Sequence, residues 1–338
     1  MRTPTVLFVM LSLSACWPEK PPEVLRLSGE TMGTTYNVTV VGGPDTLDQS
    51  AVQSAIDTGL GRVNGSMNNW NPSSEVSRFN ANETTEPVEI SSDFSTVMAA
   101  ANQINALSDG AFDVTLAPVI ELWGFGPRRP ESPVPTEEEI AAALETVGQS
   151  EKLSLDQNAL SKSDPRVSIN LAAIAKGYGV DAVAQEIAAL GAENYLVEIG
   201  GDLVARGENA EGARWQIGIE QPDLGGAVVQ QIVGVPDLGL ATSGDYRNYF
   251  EQDGIRYSHI IDATTGAPVI HNTASVTVLA ENAMLADGWA TAFLALGSED
   301  AMRIAQEQGL AIFAIDRSEG GFVTVASPAF EALLEDSD

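Results

Sequence analysis

Apolar residues recur at steps of three and four through several stretches of the chain, the spacing that gives a helix one buried face. Val52, Ile56, Leu60, Val63 and Met67 mark the first such helix. Phe94, Val97, Ala101, Ile104 and Leu107 mark a second, which Gly110 ends. Thr136 with Glu139 opens another as a capping box. A helix over 176–190 has Gly191 just past its end, where glycine closes helices. Leu285, Trp289, Ala292, Phe293 and Leu296 mark a helix within "MLADGWATAFLALG", and one more starts near Ser298.

Alternation and β-branched runs predict strands elsewhere. "TMGTTYNVTVVG" over 31–42 reads as one strand, and "NNWNPSSEVSRFN" as a polar turn with a short helix. Short strands are expected around Leu153, Leu160 and Val167. Others are expected over 195–197, 203–206, 215–219, 228–233, 256–261, 274–279, 311–315 and 322–325. Asp253-Gly254 signals a hairpin, and "PRRPESPVP" over 127–135 is a loop. Hairpins rather than regular βαβ units predict an α+β fold, with largely antiparallel sheets and packed helices.

Composition adds limits. The 338 residues, 44% of them hydrophobic, can fill one large domain or two ordinary ones. Residues 26–330 are expected to form the folded part, followed by an acidic tail over 331–338. The net charge of −30 argues against nucleic acid as a partner, because phosphate backbones need basic surfaces. The same charge means that any polyanionic ligand needs local help from a metal, a helix N-terminus or the few cations. Lysines are confined to Lys20, Lys152, Lys162 and Lys176. At the start, Arg2 precedes an apolar run over 6–13 and then Leu13-Ser14-Ala15-Cys16. Small residues before the sole cysteine read as a lipoprotein signal, with Cys16 as the lipidated residue. The Pro-rich stretch over 17–25 suits a stiff tether from a membrane.

Some stretches carry chemistry. Asp287 and Thr291 lie one helical turn apart, so a carboxylate and a hydroxyl share a face. The pair can grip a hard cation, or it can cap a loop and bond back to its own helix. "INLAAIAKGYGVD" over 169–181 places small residues between a strand end at Asn170 and a helix start near Lys176. That arrangement suits close approach of an anion, although a packed crossover with a snorkelling lysine reads the same. His259 lies on a predicted strand with Arg256 and Asp262 nearby, as a general base or as a structural histidine. His271 has no such company and reads as surface. "GAFDVTLAPVIELWGFGP" over 110–127 can line a pocket for a flat ring or serve as plain core. "EIGGDL" over 198–203 marks a tight turn or a close backbone approach.

Taken together, eight stretches resemble the ApbE family of FAD:protein FMN transferases. They are "TMGTTY", "SSEVSRFN", "GAFDVTLAP", "LAAIAKGYGVD", "VEIGGD", "TSGDYRNYF", "RYSHIIDATTG" and "MLADGWATAFLALG", in family order. The resemblance implies an ApbE-like architecture related to the T-fold. It implies transfer of FMN from FAD, with Mg²⁺, to a threonine hydroxyl of a target flavoprotein, leaving a phosphoester and releasing AMP. Targets of the family are subunits of sodium-pumping and related respiratory complexes and other exported flavoproteins, and many members are exported lipoproteins. The expected location is therefore the periplasmic side of a bacterial membrane. By resemblance, Asp287 and Thr291 would ligate Mg²⁺ by side chain and Ala173 by its carbonyl. Met32, Trp70, Ala111, Phe112, Asp113, Asn170 and Lys176 would touch FAD. His259 would take the proton of the incoming threonine, beside FAD.

This sequence departs from the family pattern at three places. Asn170 stands where the family often has aspartate. Ala263-Thr264 replaces the usual proline and basic residue, which removes one possible cation near the phosphates. Trp70 stands where tyrosine is common, keeping the stacking surface without the hydroxyl. Two other functions fit much of the same pattern: an FAD pyrophosphatase, with water as nucleophile, and a flavin-binding lipoprotein without chemistry.

Overall fold

The computed structural model describes residues 22–126, 134–222 and 228–335. Cys16, the tether up to residue 21, most of the 127–135 loop and the last three residues of the expected tail lie outside them. The described chain starts with a hairpin, β1 (Val24–Thr31) and β2 (Thr34–Val41), where one strand was expected. The alternation is the same on both sides of Met32-Gly33, so periodicity alone hides the turn. Both turn residues take positive φ, 50° and 76°, the requirement of a two-residue hairpin loop. β1 also takes in Val24 and Leu25, assigned above to the tether.

Helices α1 (Gln49–Met67) and α2 (Glu75–Ala81) follow, then β3 (Val88–Glu89) and α3 (Ser92–Leu107). Next come α4 (Ala117–Leu122), α5 (Glu137–Leu144) and α6 (Gln149–Lys152). The expected capping box of Thr136 and Glu139 starts α5. β4 (Leu153–Asp156) and β5 (Ala159–Lys162) pair with β3 in a small sheet. The third expected strand, at Val167, joins no sheet among the described residues. Side chains replace its ladder. Asn80 accepts from Ile169 N and, with Asn69, donates to Ile169 O, while Asn69 also accepts from Leu171 N. Buried Lys162 donates to the carbonyls of Phe79, Asn80 and Val167.

The rest of the chain is α7 (Ala175–Ala189), β6 (Asn194–Ile199), β7 (Asp202–Arg206), β8 (Trp215–Glu220) and β9 (Val229–Val235). It continues with β10 (Gly239–Gly244), β11 (Tyr249–Gln252), β12 (Ile255–Ser258) and β13 (Thr273–Ala280). It ends with α8 (Ala283–Leu296), α9 (Ser298–Gln308), β14 (Ala311–Ser318), β15 (Gly321–Ala326) and α10 (Pro328–Glu335). α10 absorbs residues 331–335 of the expected tail because Phe330 is fully buried and stacks on Phe313.

Eight strands form one antiparallel sheet in the order β1-β2-β6-β7-β10-β13-β14-β15. All eight residues of β13 are buried, so the sheet is covered on both faces at its centre. On one face α8 packs with α3 and α9, burying Ile104, Val276, Phe293 and Ile304. Beside them α1 and α7 bury Ile56, Val183 and Ile187 against β2 and β6. On the other face Trp215, Val233 and Phe330 cover Leu279 and Phe313. The β11–β12 hairpin lies on a separate small core, where Trp123 and Phe125 meet Tyr257 and Phe250. The architecture is therefore α+β and antiparallel, as the pattern predicts.

Candidate functional site

Helices α7 and α8 meet at Gly177, where the space admits only a glycine. A Cβ on Gly177 would lie 2.2 Å from the Ala283 carbonyl oxygen and 2.8 Å from Asp287 Cβ, so only glycine fits. Asp181 of α7 fastens the start of α8, accepting from Ala283 N at 2.9 Å and Met284 N at 2.8 Å. Burial pushes Asp181 up to about 6.

This packing gives Asp287 its partner. Its carboxylate is buried, and Oδ2 accepts from Gly177 N at 2.9 Å. One of the backbone donors at the start of α7, expected to face an anion, is therefore taken by the protein's own carboxylate. Asp287 Oδ1 lies 4.0 Å from Lys176 Nζ. One turn on, Thr291 does not bond back to its own helix. Its hydroxyl lies 3.5 Å from the Ala173 carbonyl and 3.3 Å from Ser243 Oγ. Ala173, Asp287 and Thr291 thus bring a carbonyl, a carboxylate and a hydroxyl to one place. An all-oxygen donor set with one carboxylate suits a hard cation that keeps part of its shell for water or phosphate.

Lys176 forms an ion pair with Asp202, which enters the site directly after the Gly200-Gly201 turn. Burial works to lower the lysine, but the Asp202 and Asp287 carboxylates outweigh it and hold the ammonium charged. Burial, aided by Asp287, pushes Asp202 upward against the pull of Lys176. Sequence reasoning assigned no role to Asp202 or Ser243. The signal for both was their place inside the quoted stretches "VEIGGD" and "TSGDYRNYF".

His259 lies one residue beyond β12 rather than on a strand, because the ladder ends at Ser258. Its N–H reaches Asn248 O at 3.1 Å, and its ring Nδ1 lies 3.0 Å from the same oxygen. A carbonyl can only accept, so Nδ1 carries the hydrogen and Nε2 keeps a free lone pair. Burial lowers the imidazole below its usual value and favours this neutral form. Asn248 ends a six-residue run, 243–248, that begins with Ser243 beside Thr291. The same run therefore connects the oxygen cluster to the histidine.

The other expected ligand residues divide. Met32 sits at the β1–β2 turn, where a cavity of about 530 Å³ is lined by residues 30–35. Trp70 is 58% exposed and presents an open ring face. Asn170 is buried, its Oδ1 accepting from Ala172 N. Ala111 is half-buried. Phe112 is not placed to receive a ligand by its side chain, since the ring lies in the core and both backbone groups are bonded to Asn105 and Ser108. Asp113 caps the next turn through Thr115 and accepts from Gln149 N, so both its oxygens have protein partners. His271 is half-buried rather than on the surface, with Nδ1 accepting from Thr273 N. A second cavity, about 430 Å³, lies behind α8 against Leu285 and Trp289. That side is opposite to Asp287 and Thr291.

Fold and site define a class: an antiparallel α+β protein that brings a carbonyl, a carboxylate, a hydroxyl and a charged lysine together between α7 and α8. Comparison with known proteins gives the family. The ApbE family model matches residues 32–314, and the chain belongs to the ApbE family. A Vibrio cholerae protein named FAD:protein FMN transferase is 44% identical over 325 residues, covering 96% of both chains. A Haemophilus influenzae protein of the same name is 45% identical over 332 residues, covering 96% of this chain and 95% of its own. Among solved structures, the flavin transferase ApbE from Vibrio cholerae matches with a TM-score of 0.86 at 43% identity. The match covers 93% of this chain and 100% of that one. The apo flavinyl transferase ApbE from Pseudomonas stutzeri matches with a TM-score of 0.86 at 39% identity, over 94% and 98% of the two chains.

Proposed function

We propose that this protein transfers FMN from FAD to a threonine hydroxyl of an acceptor flavoprotein and releases AMP. The observation that carries the reading is the pairing of His259 with the oxygen cluster. A neutral imidazole with a free Nε2 is tied through residues 243–248 to Ala173, Lys176, Asp287 and Thr291. The names of the relatives support the same activity.

In the proposed step the threonine Oγ attacks the FMN-side phosphorus. A new P–O bond forms, the diphosphate P–O bond to AMP breaks, and the threonine proton passes to His259 Nε2. Asn248 holds the imidazole in the tautomer that can accept it. Lys176, kept charged by its carboxylate neighbours, offsets phosphate charge in a chain that is otherwise strongly acidic. Asp287, Thr291 and the Ala173 carbonyl would hold Mg²⁺, which supplies charge neutralisation and alignment of the diphosphate when bound. Met32 and Trp70 would border the flavin dinucleotide. The lipobox-like Leu13–Cys16 supports a lipid anchor on the periplasmic side of a bacterial membrane. The acceptor would then be an exported flavoprotein or a respiratory-complex subunit exposed there.

The test is incubation with FAD, Mg²⁺ and an acceptor domain carrying its threonine, followed by denaturation and a search for flavin fluorescence on the acceptor band. Label is expected, and Asp287→Ala is expected to abolish it. Free FMN and AMP without label would replace transfer by hydrolysis. Bound, unchanged FAD would replace it by storage.

A further inference from the structure

Arg247, within the run 243–248, has no part in the reaction described above. Its position is nonetheless specific. A Cβ placed on Gly201 would lie 3.7 Å from Arg247 Nη1, so the guanidinium rests against the turn that delivers Asp202 to Lys176. Its charge is close enough to Lys176 to oppose the lysine's own. On its other side, Asn248 fixes His259. Two neighbouring cations repel, so stability alone does not explain the placement.

The counter-charge of Arg247 is Glu220, at the end of β8, 3.0 Å away. The arginine also lies over the Tyr246 ring, 5.8 Å from its centre. Both members of the ion pair are about half exposed, and such a pair contributes little to stability. A half-exposed guanidinium held by the Glu220 carboxylate and the Tyr246 hydroxyl can exchange one oxyanion for another, and its planar fork suits phosphate as well as carboxylate.

We infer that Arg247 is a second anion-binding cation of the site, resting on Glu220 until a diphosphate-bearing ligand draws it across. The inference builds on the proposed use of FAD, whose diphosphate is the ligand in question. In the bound state the guanidinium leaves the Glu220 carboxylate and donates to phosphate oxygen, beside Lys176.

The two partners then have opposite effects, which a merely structural ion pair would not show. Affinities for FAD and for riboflavin, which shares the ring and has no phosphate, are measured by flavin fluorescence on the full protein. Arg247→Gln is expected to weaken FAD binding about tenfold, leaving riboflavin binding as in the wild type, with Arg247→Lys in between. Glu220→Gln is expected to tighten FAD binding, because the competing carboxylate is gone. Equal FAD affinity in Arg247→Gln and wild type would overturn the inference. So would a parallel loss of FAD affinity in Arg247→Gln and Glu220→Gln, or an equal loss for riboflavin. A wild type that binds FAD yet labels no acceptor removes the transferase reading alone and leaves Arg247 to be judged by these affinities. A wild type that binds no FAD overturns both.

Discussion

Gly177→Ala puts the contact between α7 and α8 to a quantitative test. The added methyl would sit 2.2 Å from the Ala283 carbonyl oxygen, 2.6 Å from its carbon and 2.8 Å from Asp287 Cβ. Ordinary contact begins at 3.4 Å, so the helices must separate by about 1.2 Å. Overpacking of this kind costs about 1–3 kcal/mol. The better helix propensity of alanine returns about 0.5–1 kcal/mol. The net loss, about 0–2.5 kcal/mol, should lower Tm by up to about 4 °C. The functional loss should be larger. Asp287 rides on the displaced helix, and a displacement of ~1 Å can cost on the order of 10²-fold in rate. Circular dichroism melting and the rate of acceptor labelling measure the two effects. Gly61→Ala on α1 is the control, since a Cβ there meets nothing within 4 Å and should be neutral or stabilising. An unchanged Tm with full labelling would refute the close packing. A lowered Tm with full labelling would refute the demand on Asp287.

His259 must be neutral to accept a proton, and burial lowers it below the usual 6.5. Labelling should therefore be level near neutral pH and fall as the pH drops through a value under 6.5, and His259→Gln should lose about 10²–10⁴-fold. Asp181 is raised from 3.8 to about 6, so the folded state holds its proton more tightly than the unfolded chain. Stability should thus decline as pH rises from 3.8 to about 6, and urea titrations of Asp181→Asn should lack that part of the slope. Lys162→Met removes the donor shared by the Phe79, Asn80 and Val167 carbonyls, of which Phe79 O keeps Asn82 N, and should destabilise by about 1–3 kcal/mol, read from the urea midpoint.

Helices α1, α3, α8 and α9 were legible because they bury apolar residues at helical spacing, and α5 because its start carries a capping box. Antiparallel pairing was legible from hairpin spacing. β10 was not, because "GLATSG" offers two apolar residues and owes its central place to its neighbours β7 and β13. The extended segment at Val167 looks like a strand locally. Its partners include the side chains of Asn69 and Asn80, far away in sequence, so no local pattern announces them. At the site, the pairing of Asp287 with Thr291 followed from helical spacing. The link of Asp287 to Gly177 required the fold, since 110 residues separate them. Phe112 and Asp113 look like ligand residues in sequence, yet local hydrogen bonds engage them in shaping the turn before α4.

Residues 243–248 have a consequence for engineering. Ser243 touches the oxygen cluster, Arg247 neighbours Lys176, and Asn248 steers the imidazole. Inserting or deleting a single residue there would shift all these groups in register, so none could be retuned in isolation. Directed changes in nucleotide or acceptor preference should therefore start from other parts of the chain, such as the Met32 turn and the Trp70 loop, which are proposed to border the flavin dinucleotide.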